Sequence, residues 1–495
     1  MQNKRVWPKI LSLIQSNLGK ALFALIFFAL ALSQSQAACH AVTPTGSGSE
    51  TGADWNDAYA GIPSTLTRGD VYYFADGNYG SYTFSTPVSG TATIEFRKAQ
   101  AYDYGRTSDG CSNDISAGWN ASTMGSSQAV FSSTGKSLTT SSNYLIINGN
   151  GNQKLPWCGG TPGSTVTSEP SNPADCGFSF VGLGDNGAGT GGSTNIIDLG
   201  SASHITLEYF ELIGSGNNNG DLEIFGPGSS YINILHSYER HSGCVFVQDI
   251  GSNTVIDHSY FWGTEVEGAP DGCHGQAEYI IGGQNNNVRS NNVYRDITGT
   301  AVWTFGTGGT KDSWQIYNNV VFFSSPQLSF GGLSDAALDC INGSLCTNIT
   351  YVHNTIVNCL AHGVFGSSCG VGFADGASGG SVTVEDNLFY SNPGTIALTT
   401  NGTTVTEDYN TFLNSGSFGK GANDVVVSSG SPDPFVDWVT TSDFNLASEN
   451  ADWGNRLALN APYSLDVNGN TFTTDRGAYE MRSATTALTG AVTSQ

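Results

Sequence analysis

Short runs of apolar and β-branched residues, broken every few positions by Gly, Asn, Ser or Asp, fill most of this 495-residue chain. Tyr231-Ile232-Asn233-Ile234, Thr254-Val255-Ile256 and Ser381-Val382-Thr383-Val384 are typical, β-prone and bounded by turn formers. No window sustains a helical period. The breaks recur in one form: Leu235-His236-Ser237-Tyr238, Asp257-His258-Ser259-Tyr260, Ser290-Asn291-Asn292-Val293, Tyr317-Asn318-Asn319-Val320, Val352-His353-Asn354-Thr355, Glu385-Asp386-Asn387-Leu388 and Asp408-Tyr409-Asn410-Thr411. Counted from the Ser or Asn at the third place, the steps are 22, 33, 27, 35, 33 and 23 residues, the range of stacked repeats.

After each break a second short run follows, such as Cys244-Val245-Phe246-Val247 or Ala301-Val302-Trp303-Thr304-Phe305. Strand, polar turn and strand, repeated, describe a solenoid. Each coil buries its inward alternate residues against its neighbours and adds one strand spacing, roughly 4.8 Å, to the length. The recurrent Asn fits a turn that enters the left-handed region. Its repetition lets side-chain amides hydrogen-bond along the axis as an asparagine ladder. His236, His258 and His353 stand where Asn stands in other coils, so they are expected as ladder members rather than ligands.

From about Gly52 to Glu480 this pattern resembles the right-handed parallel β-helix proteins of the pectate-lyase-like superfamily. The fold expected is all-β: a single-stranded right-handed parallel β-helix with an N-terminal cap and long loop insertions. Two further stretches carry the resemblance. Gly52-Ala53-Asp54-Trp55-Asn56-Asp57-Ala58-Tyr59 is similar to the short amphipathic helix that covers the first coil in such proteins, with Trp55 and Tyr59 on one face. Asp475-Arg476-Gly477-Ala478-Tyr479-Glu480 is similar to their last element. The resemblance implies a fold and not a reaction, because the superfamily holds lyases, glycosidases, esterases, adhesins and phage tailspikes.

The expected organisation is a signal peptide over 1–37, a linker over 38–52, the β-helix over 53–481 and a flexible tail over 482–495. Lys4, Arg5, Lys9 and Lys20 precede or enter an apolar run from Ala21 to Leu32, with small residues near Ala37 for cleavage. That run is too short for a comfortable membrane span, and no second apolar stretch reaches membrane length. Secretion follows as the expectation, extracellular or periplasmic, with surface attachment open. Cys39 admits a lipoprotein reading, against which Gln36-Ala37-Ala38 lacks the usual aliphatic residue.

Loss of those four of the 18 basic residues, and none of the 42 acidic ones, would move the net charge from −24 to −28. Such a surface repels nucleic acid and anionic lipid. It also argues against a broad basic groove for a polyanion. Calcium would give the carboxylates a use, since hard cations need oxygen ligands. Ten cysteines in an exported chain point to disulfides. Close spacing pairs Cys158 with Cys176, Cys340 with Cys346 and Cys359 with Cys369, which leaves Cys244 with Cys273 and Cys39 with Cys111.

Ionisable and aromatic residues concentrate in Glu239-Arg240-His241, in the stretch from Tyr260 to Tyr279, and in Tyr294-Arg295-Asp296. Stacked coils would bring them side by side. Glycoside hydrolysis needs two carboxylates flanking the bond, which Glu265, Glu267, Asp271 and Glu278 offer, with Trp262 as a stacking platform. A lyase needs a cation for the uronate carboxylate and a base for the adjacent proton, which Arg240, Arg295, His274 and Tyr279 offer. The catalytic candidates are thus His274, Glu278, Asp271, Arg295 and Arg240. Trp262, His241, Tyr279 and Glu265 are the substrate-binding candidates, and Glu265, Glu267 and Asp271 the calcium candidates. The leading expectation is a monomer that binds and cleaves a polysaccharide. The alternative is a non-catalytic surface, adhesion or structural protein. Whether Glu278 faces inward, as a buried acid, or outward is not decided by the alternation.

Overall fold

The computed structural model describes residues 36–479 apart from 151–157, 159–175, 184–194, 215–221, 243, 265–274, 298–300, 307, 325–335, 360–369, 374–378, 393–397, 401, 418–420, 428, 439–442, 448–461, 468–470 and 473–474. Residues 1–35 of the expected signal peptide and the whole of the expected tail lie outside the described residues.

The chain winds as a right-handed parallel β-helix whose walls are sheets of 13, 12 and 10 strands, here the first, second and third. Each is parallel throughout, and each strand pairs with its counterparts one coil before and after. Thus Val255–Asp257 pairs with Val288–Ser290 in the first sheet, and Tyr260–Thr264 with Val293–Arg295 in the second. Glu278–Ile280 pairs with Ala301–Phe305 in the third. Apolar side chains from all three walls fill the bore, among them Phe131, Phe180, Ile197, Ile205, Phe261, Ile316, Trp303 and Phe389. The core lengthens with each added coil, which is how a chain of this length keeps a single one.

The corner between the first and second sheets explains the recurring motif. Its second residue takes the left-handed conformation in every coil: His236, His258, Asn291, Asn318, His353, Asp386 and Tyr409 all have φ between 49° and 58°. Its third residue turns inward and forms the ladder. Asn292 N–H donates to Asn319 Oδ1 at 3.1 Å, Asn319 N–H to Asn354 Oδ1 at 3.0 Å, Asn354 N–H to Asn387 Oδ1 at 2.8 Å and Asn387 N–H to Asn410 Oδ1 at 3.0 Å. The amide and the left-handed turn therefore belong to adjacent residues, not to one. The rings at the second place stack, His236 on Tyr209 at 4.7 Å and on His258 at 5.2 Å. Close packing of coils also selects Gly251, with φ of 76°, where a Cβ would lie 1.7 Å from the Ser229 carbonyl oxygen.

The N-terminal end differs from expectation in two respects. Cys39–Thr43, expected within a linker, is a strand of the first sheet, paired with Val71–Phe74 and tied by a disulfide to Cys111. The capping helix is a single 3₁₀ turn, Trp55–Asp57, and Tyr59 already belongs to a strand, so the two rings do not share a helix face. Trp55 is nevertheless buried and packs on Trp119 at 4.9 Å. The bridges Cys158–Cys176 and Cys340–Cys346 form as spacing suggested. Cys244 and Cys359 are disulfide-bonded as well, and their expected partners Cys273 and Cys369 lie outside the described residues.

At the C-terminal end the chain turns back along the outside. Phe435, Phe444, Leu446, Val467 and Tyr479 cover the outer face of the second sheet over Phe322, Val357, Tyr390 and Leu413. Phe444 meets Phe322 edge-on at 4.9 Å, and the Ala478 N–H donates to Thr355 Oγ1 at 2.8 Å. The Arg-Gly-Ala-Tyr element is thus an outer brace, with Arg476 buried and donating to the Asn410 carbonyl at 2.9 Å.

Candidate functional site

Side chains alternate along a strand, so the register of each coil decides which of two neighbours reaches solvent. In the second sheet Arg240 pairs with Trp262, and Trp262 with Arg295, so these three stand in one outward column across three successive coils. The Arg295 guanidinium lies 4.4 Å from the Trp262 ring centre, a cation–π contact that holds the indole in place. Carboxylates orient both arginines: Arg240 Nε donates to Glu211 Oε1 at 3.0 Å and Arg295 Nε to Asp296 Oδ2 at 3.0 Å. Asp296 is itself held by the Ser324 N–H and hydroxyl, at 2.7 and 2.8 Å. In the next outward column Tyr238 and Tyr260 lie 5.5 Å apart, and burial pushes the Tyr238 hydroxyl far above its ordinary range, leaving it neutral.

This column is bounded on both sides. The bridged Cys158–Cys176 pair packs with Tyr209, Tyr238 and Tyr260 toward the N-terminal coils, and the returning C-terminal segment begins at Phe322. Between them the second-sheet strands end at Thr264 and Arg295, and the next third-sheet strands begin at Glu278 and Ala301. On the far side of that corner Tyr279 stands outward in the third sheet, in register with Gln248 and Thr304. It packs, as Phe225 does, against the buried Cys244 and Val245.

Glu278 points the other way. Its side chain is 1% exposed and lies inside the bore. One oxygen accepts from Arg289 Nε at 2.6 Å, and the other from the Tyr294 hydroxyl at 3.2 Å and Trp303 Nε1 at 3.1 Å. A carboxylate enclosed by these three groups does not reach a polymer on the outer wall. The expectation of Glu278 as an acid or base beside Arg240 and Arg295 is corrected on that ground: its strand parity turns it toward the axis. Glu239 is a second inward acid, in register with Leu212 and Phe261. Burial, and then the charge of Glu278, raise its pKa well above the ordinary carboxylate value, while its Oε1 accepts from the Ser237 hydroxyl at 3.1 Å.

Of the sequence candidates, the structure brings together Arg240, Trp262 and Arg295, puts Tyr279 across the corner and withdraws Glu278. His241 lies in the strand Tyr238–Ser242. His274, Asp271, Glu265 and Glu267 lie outside the described residues. Among the described residues no group of three or more His, Cys, Asp or Glu side chains is placed to hold a metal ion. Glu211 was missed in the sequence. The signal for it was the alignment of Phe210-Glu211-Leu212 with the Arg240-bearing strand Tyr238–Ser242 one coil later, which becomes visible once the register is known.

The wound architecture is that of the pectate-lyase-like parallel β-helix. The solved pectate lyase Pel9A overlays with a TM-score of 0.50 at 14% identity, over 91% of this chain and 98% of that one. An alginate lyase from Paenibacillus sp. str. FPU-7 overlays with a TM-score of 0.42 at 14% identity, over 74% of this chain and 99% of its own. A rhamnogalacturonan lyase does so at 0.42 and 12%, over 89% and 96%. At such identities the likeness is one of fold. No sequence-family model matches the chain. No curated protein matches it either.

Proposed function

We propose that this protein is exported and binds an acidic polysaccharide at the corner between the second and third sheets, cleaving it by β-elimination. The observation that carries the reading is the Arg240–Trp262–Arg295 column, two guanidiniums flanking an indole on an outward wall. An indole face suits the apolar face of a sugar ring. In elimination the arginines would draw charge from the uronate carboxylate, and His274 or Tyr279 would take the adjacent ring proton. The electron pair of that C–H bond then forms a double bond as the glycosidic oxygen leaves with its electrons. Withdrawal of Glu278 into the bore leaves Glu265, Glu267 and Asp271 of the four carboxylates considered for hydrolysis. One neighbour of like fold is named a pectate lyase, in agreement with this reading. Calcium, if Glu265, Glu267 and Asp271 hold it, would add a Lewis acid at the carboxylate; no step above depends on it.

The pairing of both arginines with Glu211 and Asp296 favours a second reading, a non-catalytic polysaccharide-binding wall. One experiment separates the two. The mature chain is incubated with polygalacturonate, alginate and neutral glycans, with and without calcium, while unsaturated ends are followed by ultraviolet absorbance and reducing ends by titration. Elimination yields both together, from a uronate polymer. Retention of a uronate polymer without products leaves the binding wall, and neither binding nor products overturns both. Trp262→Ala should weaken retention about tenfold or more, as loss of a buried aromatic contact does; unchanged retention would remove this wall from the proposal.

A further inference from the structure

A second surface with the features of a sugar site lies on a different wall. At the corner where the third sheet feeds the first, the left-handed position of successive coils is filled by Tyr144, His204 and Tyr231, with φ of 61°, 59° and 54°. Their rings stack along the axis at 4.6 and 4.7 Å. Beside them Ile146, Thr206 and Asn233 stand in register on the outer face of the first sheet. Together these line an open pocket of about 310 Å³, the lower end of the range for small-ligand sites. Tyr231 is 49% exposed. A coil ladder needs no ring here, since Asn253 and Asn286 fill the same position in the next coils with φ of 58°. The rings are therefore not demanded by the winding.

We propose that this pocket binds a neutral glycan. Its lining offers ring edges, hydroxyls, the amides of Asn233 and Asn253 and the Ile146 methyls, the mixture that meets a sugar's hydroxyls and its apolar face. It contains no Lys or Arg; in the next outward column Glu208 stands in register with Asn148, and Asn148 with Arg97. The pocket itself therefore presents no guanidinium or ammonium to an anionic chain. The repeat of the site equals the coil spacing, so an extended glycan lying along the axis meets a similar edge at each step. The site stands on Tyr231 and His204, independent of the Arg240–Trp262–Arg295 wall.

The test is titration of the whole mature chain with neutral xylo- and gluco-oligosaccharides, and separately with oligogalacturonate, by calorimetry. Tyr231→Asn and His204→Asn are the variants, because Asn already occupies this backbone geometry one coil further on and folding is preserved; circular dichroism checks that. Neutral oligosaccharide should bind the parent and Trp262→Ala equally and bind Tyr231→Asn about tenfold or more weakly. Oligogalacturonate binding should be the same in Tyr231→Asn as in the parent. Failure of every neutral oligosaccharide to bind, or undiminished binding in the double variant, overturns the proposal. Loss of neutral binding in Trp262→Ala would assign it to the other wall and overturn it equally.

Discussion

Replacing Glu278 with Leu should destabilise the protein by about 3–5 kcal/mol, the cost of leaving a buried partner charge uncompensated. The magnitude follows from the enclosure. The Glu278 and Arg289 side chains are 1% and 0% exposed and meet at 2.6 Å, so Arg289 cannot recover water when its partner is lost. Tyr294 and Trp303 would lose an acceptor as well. Arg289→Leu should also destabilise, since it removes the Nε donor of the buried Glu278 carboxyl. The double variant should recover most of the loss, because an apolar pair in the bore needs no desolvated charge. Denaturant midpoints of the parent, both single variants and the double variant, read by circular dichroism and tryptophan fluorescence, give the coupling free energy. Glu278→Leu within about 0.5 kcal/mol of the parent, or an additive cycle, would refute the enclosed pair. Glu278→Gln should keep any polysaccharide-cleaving activity, since the side chain does not reach the wall.

Asn319→Ala should cost about 2 kcal/mol by stranding the buried Asn292 N–H and the Arg289 carbonyl, both of which it satisfies at 3.1 and 2.9 Å; a midpoint like that of the parent would show that the ladder is not continuous. Stability should fall as pH rises above the ordinary carboxylate value of 4.5. Glu239 is held protonated by burial in the fold, while the unfolded chain releases that proton, so folding binds protons through this window. Burial and then Asp424 push Glu407 up to about 8, which adds to the same slope until that pH. Glu239→Gln should flatten the fall between pH 5 and 8, and an unchanged slope in unfolding midpoints would remove Glu239 as its source.

The corner ladder and the local bridges were legible because they are local. An Asn recurring behind β-prone runs, and cysteines a few residues apart, carry the same meaning in any coil. Even there one assignment moved: the left-handed residue is the one before the ladder Asn, as Asn318 and Asn319 illustrate. The site was legible in part. Arg240, Trp262 and Arg295 were visible as an unusual concentration of charge and ring, yet Glu278 beside them in sequence belongs to the interior. Glu211, which orients Arg240, comes from a strand 29 residues earlier and gave no local signal. The brace formed by Phe435, Phe444 and Tyr479 was equally silent, since its partners are the outer faces of strands already accounted for.

The succession of short β-prone runs, amide-bearing turns and paired cysteines by itself determined that this chain winds, where its corners fall and how its coils are clasped. Tertiary structure decided parity: Arg240 outward and Glu239 inward, Tyr279 outward and Glu278 inward. The physical reason is the two-residue period of a strand. A shift of one residue exchanges every side chain between bore and solvent, and that register is set by hydrogen bonds to the coils on either side, whose residues lie 22 to 35 positions away.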